Sequence, residues 1–251
     1  GTLVAVRMLS RRHVEITRAV RKELHMLKEI SHDNVNRFLG ACMEPPNICI
    51  VTQYCSRGSL KDILENDDLH LDDMFIASLV FDLIKGMIYL HDSEICSHGN
   101  LKSSNCLVDS RWVLQISDFG LNHLKATEVP HITHEFSYYA RLLWKAPELL
   151  RDPYAAPHGT QKGDVYAFAI IMYEIHGRAG PWGHTLLPPR EIVEKVKQIA
   201  YPYAPFRPDM SILKSEDFII KCIQDCWHES PDSRPDFKYI RIRLKPMQRG
   251  L

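Results

Sequence analysis

The spacing of apolar and polar positions changes along the 251-residue chain, and the change falls near Tyr54. Before it, short apolar runs alternate in the manner of strands. Leu3-Val4-Ala5-Val6 opens the chain, and two further strands are predicted near Asn36 to Ala41 and Ile48 to Tyr54, separated by the turn residues Pro45-Pro46-Asn47. Between the first strand and the second, Ile16, Ala19, Val20, Leu24 and Leu27 recur at spacings of three and four. That period predicts a helix from about Arg12 to Ile30 with one apolar face.

After Cys55 the pattern becomes helical. Ser59 is placed to cap a short helix ending near Asn66. Ile76, Leu79, Val80, Leu83, Ile84, Met87 and Ile88 form one stripe of a long amphipathic helix over 72–91. Residues 164–175 are apolar on nearly every side, as befits a helix running through the middle of a core. Helices near Arg190 to Ile199, Glu216 to Trp227 and Phe237 to Leu244 finish the chain. Strands then helices imply an α+β fold of two lobes, 1–54 strand-rich and 55–251 helical, hinged near Tyr54.

Composition narrows the function classes. With 45% hydrophobic and 25% charged residues the chain is of the ordinary globular kind, and its formal net charge of zero leaves no electrostatic footprint for nucleic acid or an anionic membrane surface. The seven cysteines are odd in number and sit mostly in apolar runs, as reduced core thiols do. Cys222 and Cys226, four apart, could be two zinc ligands, but no second Cys/His pair lies nearby and one buried helix face is the favoured reading. The apolar stretches at Phe75 to Leu90 and Phe168 to Tyr173 are broken by Asp82 and Lys85 or short, so neither a bilayer span nor a signal peptide is expected. The start inside a strand, without an initiator Met, reads as a fragment or an incomplete gene model.

The chemistry concentrates in 98–120. His98-Gly99-Asn100-Leu101-Lys102-Ser103-Ser104-Asn105 is followed by a short strand-like stretch and then Asp118-Phe119-Gly120. Ala146-Pro147-Glu148, Asp164 at the start of the apolar helix and Ser233-Arg234-Pro235 follow in order. Each triplet alone is weak, but the order and spacing together resemble the protein-kinase fold from its third strand to its last helix. In that resemblance Asn100 replaces the carboxylate that orients the incoming hydroxyl and accepts its proton, and a neutral amide has no basic lone pair to offer. Asn105 and Asp118 are the oxygen ligands for Mg2+, Lys102 faces phosphate, and Arg7 stands where the phosphate-gripping Lys belongs, with Glu23 sixteen residues on as its matching partner across the cleft. Arginine keeps the charge and can fork onto Glu23, but its planar head does not replace a compact ammonium at a phosphate. The bland alternatives are that Asp118 starts a turn, Asn105 caps its loop, Lys102 is a solvated surface residue and Arg7 lies on an edge strand. Glu148, Arg234 and Asp164 are read as structural, the first two as an ion pair.

Longer strings narrow the resemblance. Gly40 to Ile50, Tyr54 to Asn66, Ile95 to Cys106 and Leu143 to Leu150 look like the kinase homology domain of membrane receptor guanylate cyclases, especially the natriuretic-peptide receptor type. That family implies an extracellular peptide-binding domain, one membrane span, this pseudokinase on the cytoplasmic side of the plasma membrane, a dimerising coiled coil and a cyclase domain making cyclic GMP from GTP. It implies a Gly-rich loop, absent ahead of Arg7, and nucleotide contacts at Arg7, Glu23, Thr52, Tyr54, Lys102, Asn105 and Asp118, with Asn105 and Asp118 as metal ligands. The expected cofactor is weakly bound regulatory ATP with or without Mg2+; the expected partners are the cyclase domain and the dimer partner of the same receptor, with no nucleic acid and no membrane contact in this chain. Departures are Arg7 for Lys, the end at Leu251 before any coiled coil, and Asp118-Phe119-Gly120 in place of the Tyr-containing version common in that subgroup. The composition of 126–141, with His131, His134, Ser137, Tyr138 and Tyr139, has no physical account at this stage. Rival readings are a residually active protein kinase and a docking scaffold that binds no nucleotide.

Overall fold

The computed structural model describes residues 1–125, 135–199 and 204–249. Three antiparallel strands, β1 (Val4–Met8), β2 (Phe38–Cys42) and β3 (Cys49–Gln53), form a sheet of order β1-β3-β2, with Val6 opposite Val51 and Ala41 opposite Ile50. A helix, α1 (Arg18–Glu29), joins β1 to β2. It is shorter at its start than the apolar spacing suggested. Thr17 takes an extended backbone and its hydroxyl accepts from the Val20 amide at 3.2 Å, so the first turn is capped there. Ile16, counted on the predicted stripe, is 46% exposed, while Val20 and Leu27 carry the buried face.

Past β3 the chain enters α2 (Leu60–Glu65), closed by a reciprocal box in which the Ser59 hydroxyl accepts from the Asp62 amide and the Asp62 carboxylate accepts from the Ser59 amide. Next comes α3 (Asp73–Asp92), capped by Asp72. Leu79, Leu83, Ile84 and Met87 are fully buried, each contributing roughly 1.5–3 kcal/mol. By length and composition α3 is long and apolar enough to cross a membrane, so Asp82 and Lys85 do not disqualify it as the sequence suggested. The fold claims it instead: ten of its residues are buried, Asp82 among them, and the Asp82 carboxylate accepts from the Leu114 amide at 3.1 Å. That bond ties α3 to a small ladder of β4 (Cys106–Val108) and β5 (Leu114–Ile116).

Three short helices follow that the sequence did not announce: α4 (Asn122–Lys125), α5 (Glu135–Ala140) and α6 (Pro147–Arg151). At four to six residues they are too short to show a period. The core helix α7 (Gln161–Gly177) is buried on all sides from Gly163 to Ile175 and ends at Arg178, whose left-handed backbone (φ 51°) is held by guanidinium bonds to the Leu64, Asn66 and Leu69 carbonyls. The later helices are α8 (Pro189–Lys197), which packs on α5 and α6, and α9 (Asp217–Cys226) and α10 (Phe237–Leu244), which pack against α7. Cys222 and Cys226 share one buried face of α9 with sulfurs 4.0 Å apart, and no group of three or more metal-ligating side chains occurs among the described residues. Arg234, 1% exposed, forks onto both Glu148 oxygens at 2.7 and 2.9 Å, the structural pair expected from the sequence.

Candidate functional site

The loop between α3 and β4 is held by one carboxylate. Asp164, in the first turn of α7, accepts from the His98 and Gly99 amides at 2.8 and 3.0 Å and contacts His91 Nε2 at 2.8 Å. Gly99 is required here: its φ is +82°, and a Cβ would lie 2.5 Å from the His158 carbonyl carbon. His98 Nδ1 accepts from the Asn100 amide at 3.1 Å while Nε2 faces the Ser117 carbonyl at 2.7 Å, so the ring is neutral with its proton on Nε2. Burial, which lowers its pKa, favours the same state.

This frame presents Asn100, Asn105 and Asp118 together. Asn105 Nδ2 donates to the Asn100 carbonyl at 2.7 Å, and Asn100 Nδ2 lies 3.4 Å from Asp118 Oδ2. Asp118 has φ +62°. Its Oδ1 meets Arg7 Nη1 at 2.5 Å and Lys125 Nζ at 3.0 Å, and Lys125 also donates to the Asp118 carbonyl at 2.7 Å. Burial alone would raise this carboxyl, but Lys125 and Arg7 outweigh it and hold the pKa below the usual carboxylate range. Asp118 is therefore ionised and already matched by cations of its own chain.

Glu23 is not where the sequence placed it. Its carboxylate accepts from the His123 amide at 3.2 Å and meets His123 Nδ1 at 2.7 Å, so Arg7 pairs with Asp118 and Glu23 with α4, not with each other. The reason is α4: the turn after Asp118-Phe119-Gly120 carries His123 and Lys125 on one short helix, and each takes one of the two carboxylates. Phe119 is buried with its ring edge-on to His98 at 6.3 Å, and Leu27 of α1 packs over Gly120.

Two cavities meet at this cluster. The smaller, about 360 Å3, lies between the sheet (Ile50, Thr52) and the β4 floor (Leu107), and reaches Asn105 and Asp118. The larger, about 660 Å3, opens below it around Asn100 and Lys102. Arg7, Asn105, Asp118 and Lys125 border both.

A family model for protein tyrosine and serine/threonine kinases matches residues 1–244. The chain belongs to that family. It is similar across its whole length to receptor-type guanylate cyclase Gyc76C of Drosophila melanogaster, at 52% identity over 17% of that protein, and to the resact receptor of Arbacia punctulata, at 45% over 26%. Atrial natriuretic peptide receptor 2 of Anguilla japonica is 48% identical over 96% of this chain and 23% of its own length. The chain thus spans about a quarter or less of these relatives and corresponds to the kinase-like domain of receptor guanylate cyclases.

In this kinase-like domain Thr52 lines the smaller cavity, whereas Tyr54 is 48% exposed and lines neither. Lys102 lines the larger one alone, and burial lowers its pKa below the usual lysine range. As oxygen donors Asp118 and Asn105 fit Mg2+ bound through phosphates, in competition with Arg7 and Lys125. Sequence reasoning missed His123, Lys125, Arg141 and Lys145. Their only signal was position, basic residues within seven of Asp118 or just ahead of Ala146-Pro147-Glu148. Of the segment without an account, Ser137, Tyr138 and Tyr139 lie on α5, and His131 and His134 fall outside the described residues.

Proposed function

We propose that this chain is the regulatory pseudokinase domain of a receptor guanylate cyclase. It binds ATP weakly, with Mg2+, and relays receptor state to a cyclase domain that makes cyclic GMP from GTP elsewhere in the same protein. Its partners in this reading are that cyclase domain and the dimer partner, on the cytoplasmic side of the plasma membrane in a single-span receptor. One observation carries the proposal: the carboxylate that would hold Mg2+ is engaged by Arg7 and Lys125 while the neutral amide of Asn100 stands in the place of the catalytic base. Such a site has oxygen donors for a metal and a cleft for a nucleotide, but the amide at the base position cannot take the proton from an acceptor hydroxyl. The names of the similar proteins supply the cyclase and the receptor context.

A relay needs two arrangements that the ligand binds unequally. A metal at Asp118 draws on the same carboxylate charge as Arg7 and Lys125, so nucleotide and the present ion cluster compete. A thermal-shift titration with ATP, with and without Mg2+, tests the reading: the Mg2+-dependent part of the shift should vanish in Asp118→Ala. In the full receptor the same change should remove the ATP dependence of cyclic GMP output. A Mg2+-dependent shift that survives Asp118→Ala places the nucleotide elsewhere, and no shift in the unaltered chain leaves a docking scaffold.

A further inference from the structure

The outer face of α1 carries a concentration of positive charge that the zero net charge of the chain averages away. Val20 and Leu27 bury one side of the helix, and on the other Arg18, Arg21, Lys22, His25 and Lys28 follow one another at spacings of three and four. All five are exposed, and among the described residues none of their side chains makes a hydrogen bond or an ion pair. Arg12, exposed as well, lies on the segment leading into the helix. Opposing charge is thin there: Glu23 turns to His123 on the cleft side, which leaves Glu15 and Glu29. The placement also runs against helix stability. The N-terminus of a helix is the positive end of its dipole and favours carboxylates, yet the first turn of α1 holds Arg18 and Arg21 and no acidic residue. A local rule broken without compensation inside the fold marks residues kept for an outside partner.

We propose that this face of α1 docks on an anionic bilayer surface, with phosphatidylserine-type headgroups as the counter-charge. The class of partner follows from what the stripe lacks. Residues 11–29 contain no aromatic side chain, so the anchors of a protein interface and the stacking platform of a single-stranded nucleic-acid site are both missing. A bilayer asks for less. It needs several cations on long, flexible stems along a face that can lie flat, and a cluster of four or more on an amphipathic helix suffices. Ile16, 46% exposed and two residues ahead of Arg18, adds an apolar side chain for the headgroup layer. The receptor context proposed above supplies a bilayer within reach, but the charge pattern stands without it.

The test sediments the whole chain with vesicles of equal parts phosphatidylserine and phosphatidylcholine, and with pure phosphatidylcholine vesicles alongside. Arg18→Gln, Arg21→Gln and Lys22→Gln are combined in one variant. The unaltered chain should bind the anionic vesicles alone, and less as salt rises. The triple variant should bind them at least tenfold more weakly, since each cation near an anionic surface contributes about fivefold. Arg18→Lys with Arg21→Lys, which keeps the charge, should bind like the unaltered chain. Without lipid the triple variant should melt at the same temperature or higher, because cations have been taken from the positive end of the helix dipole, which separates loss of the docking face from loss of the fold. It should also keep the Mg2+-dependent response to ATP, because none of the three residues lines the two cavities at the cleft. Vesicle binding in turn needs no nucleotide, so failure of one leaves the other standing. Equal sedimentation with phosphatidylcholine vesicles, or binding undiminished in the triple variant, overturns the proposal. Soluble poly-glutamate bound more tightly per negative charge than the vesicles also overturns it, and assigns the face to an acidic protein.

Discussion

At the scale of single residues the site is decided by which charges have partners. Asn100 Nδ2 lies 3.4 Å from Asp118 Oδ2, so an Asp at position 100 would set two carboxylates side by side while Arg7 and Lys125 still occupy Oδ1. Asn100→Asp alone is therefore expected to leave phosphotransfer at background in a labelled-phosphate assay, although a positioned base is typically worth on the order of 10² to 10⁴ in rate. Stoichiometric incorporation by that variant, free of contaminating kinase, would show that the base is the sole defect. Arg234 illustrates the other use of charge. It is 1% exposed, forks onto Glu148, and donates to the His228 and Lys162 carbonyls. Arg234→Met leaves those acceptors unmet, and a loss of about 3 kcal/mol in urea unfolding is expected. A loss within about 0.5 kcal/mol, the range of ordinary surface changes, would contradict that account.

Among elements, α7 is the organiser, and one of its residues makes stability depend on pH. Glu174 is buried, accepts from Ser103 Oγ at 2.7 Å and Trp144 Nε1 at 2.6 Å, and has its pKa pushed by desolvation from the usual 4.5 up to about 7, against the pull of those two bonds. Between these values the folded chain holds a proton that the unfolded chain has released, so stability falls as pH rises from about 4.5 to about 7, by up to about 3 kcal/mol. Glu174→Gln keeps an acceptor for Trp144 and a donor for Ser103, and should flatten that decline in denaturant melts taken across the range. An unchanged slope would mean that another group sets it. The same helix shows what was legible beforehand. Its continuous apolar run announced a buried helix, as the stripe of α3 and the alternation of the strands announced theirs. The start of α1 was misjudged because Ile16 matched the apolar period although Thr17 caps the helix one residue later. Helices α4 to α6 were missed because their residues are fixed by tertiary contacts, not by a repeating face. At the site, the motif spacing located Asn100, Asn105 and Asp118, but the contact of Glu23 with His123 depends on α4 and could not be read from a sixteen-residue interval.

Across the whole molecule, α4 couples the two halves of the cleft. His123 holds Glu23 of α1, and Lys125, two residues on, holds Asp118. A metal at Asp118 draws on the same carboxylate charge as Lys125 and is expected to loosen it, and a loosened α4 weakens the grip of His123 on α1. Binding of Mg·ATP and the Glu23–His123 contact therefore oppose each other, and linkage requires the opposition to be mutual. Glu23 is largely enclosed while His123 is exposed, which sets the contact at about 0.5–1 kcal/mol and the coupling at about two- to fivefold in affinity. Glu23→Gln should accordingly tighten Mg·ATP by that factor in calorimetry and leave adenosine binding unchanged, since adenosine does not reach for the metal. In the unaltered chain, saturating Mg·ATP should speed amide exchange in α4, where the His123 amide loses its carboxylate acceptor. If Glu23→Gln leaves the affinity for Mg·ATP where it was, α4 does not connect the helix to the metal position. The contacts at Glu23 and Asp118 are then independent and happen to share one short helix.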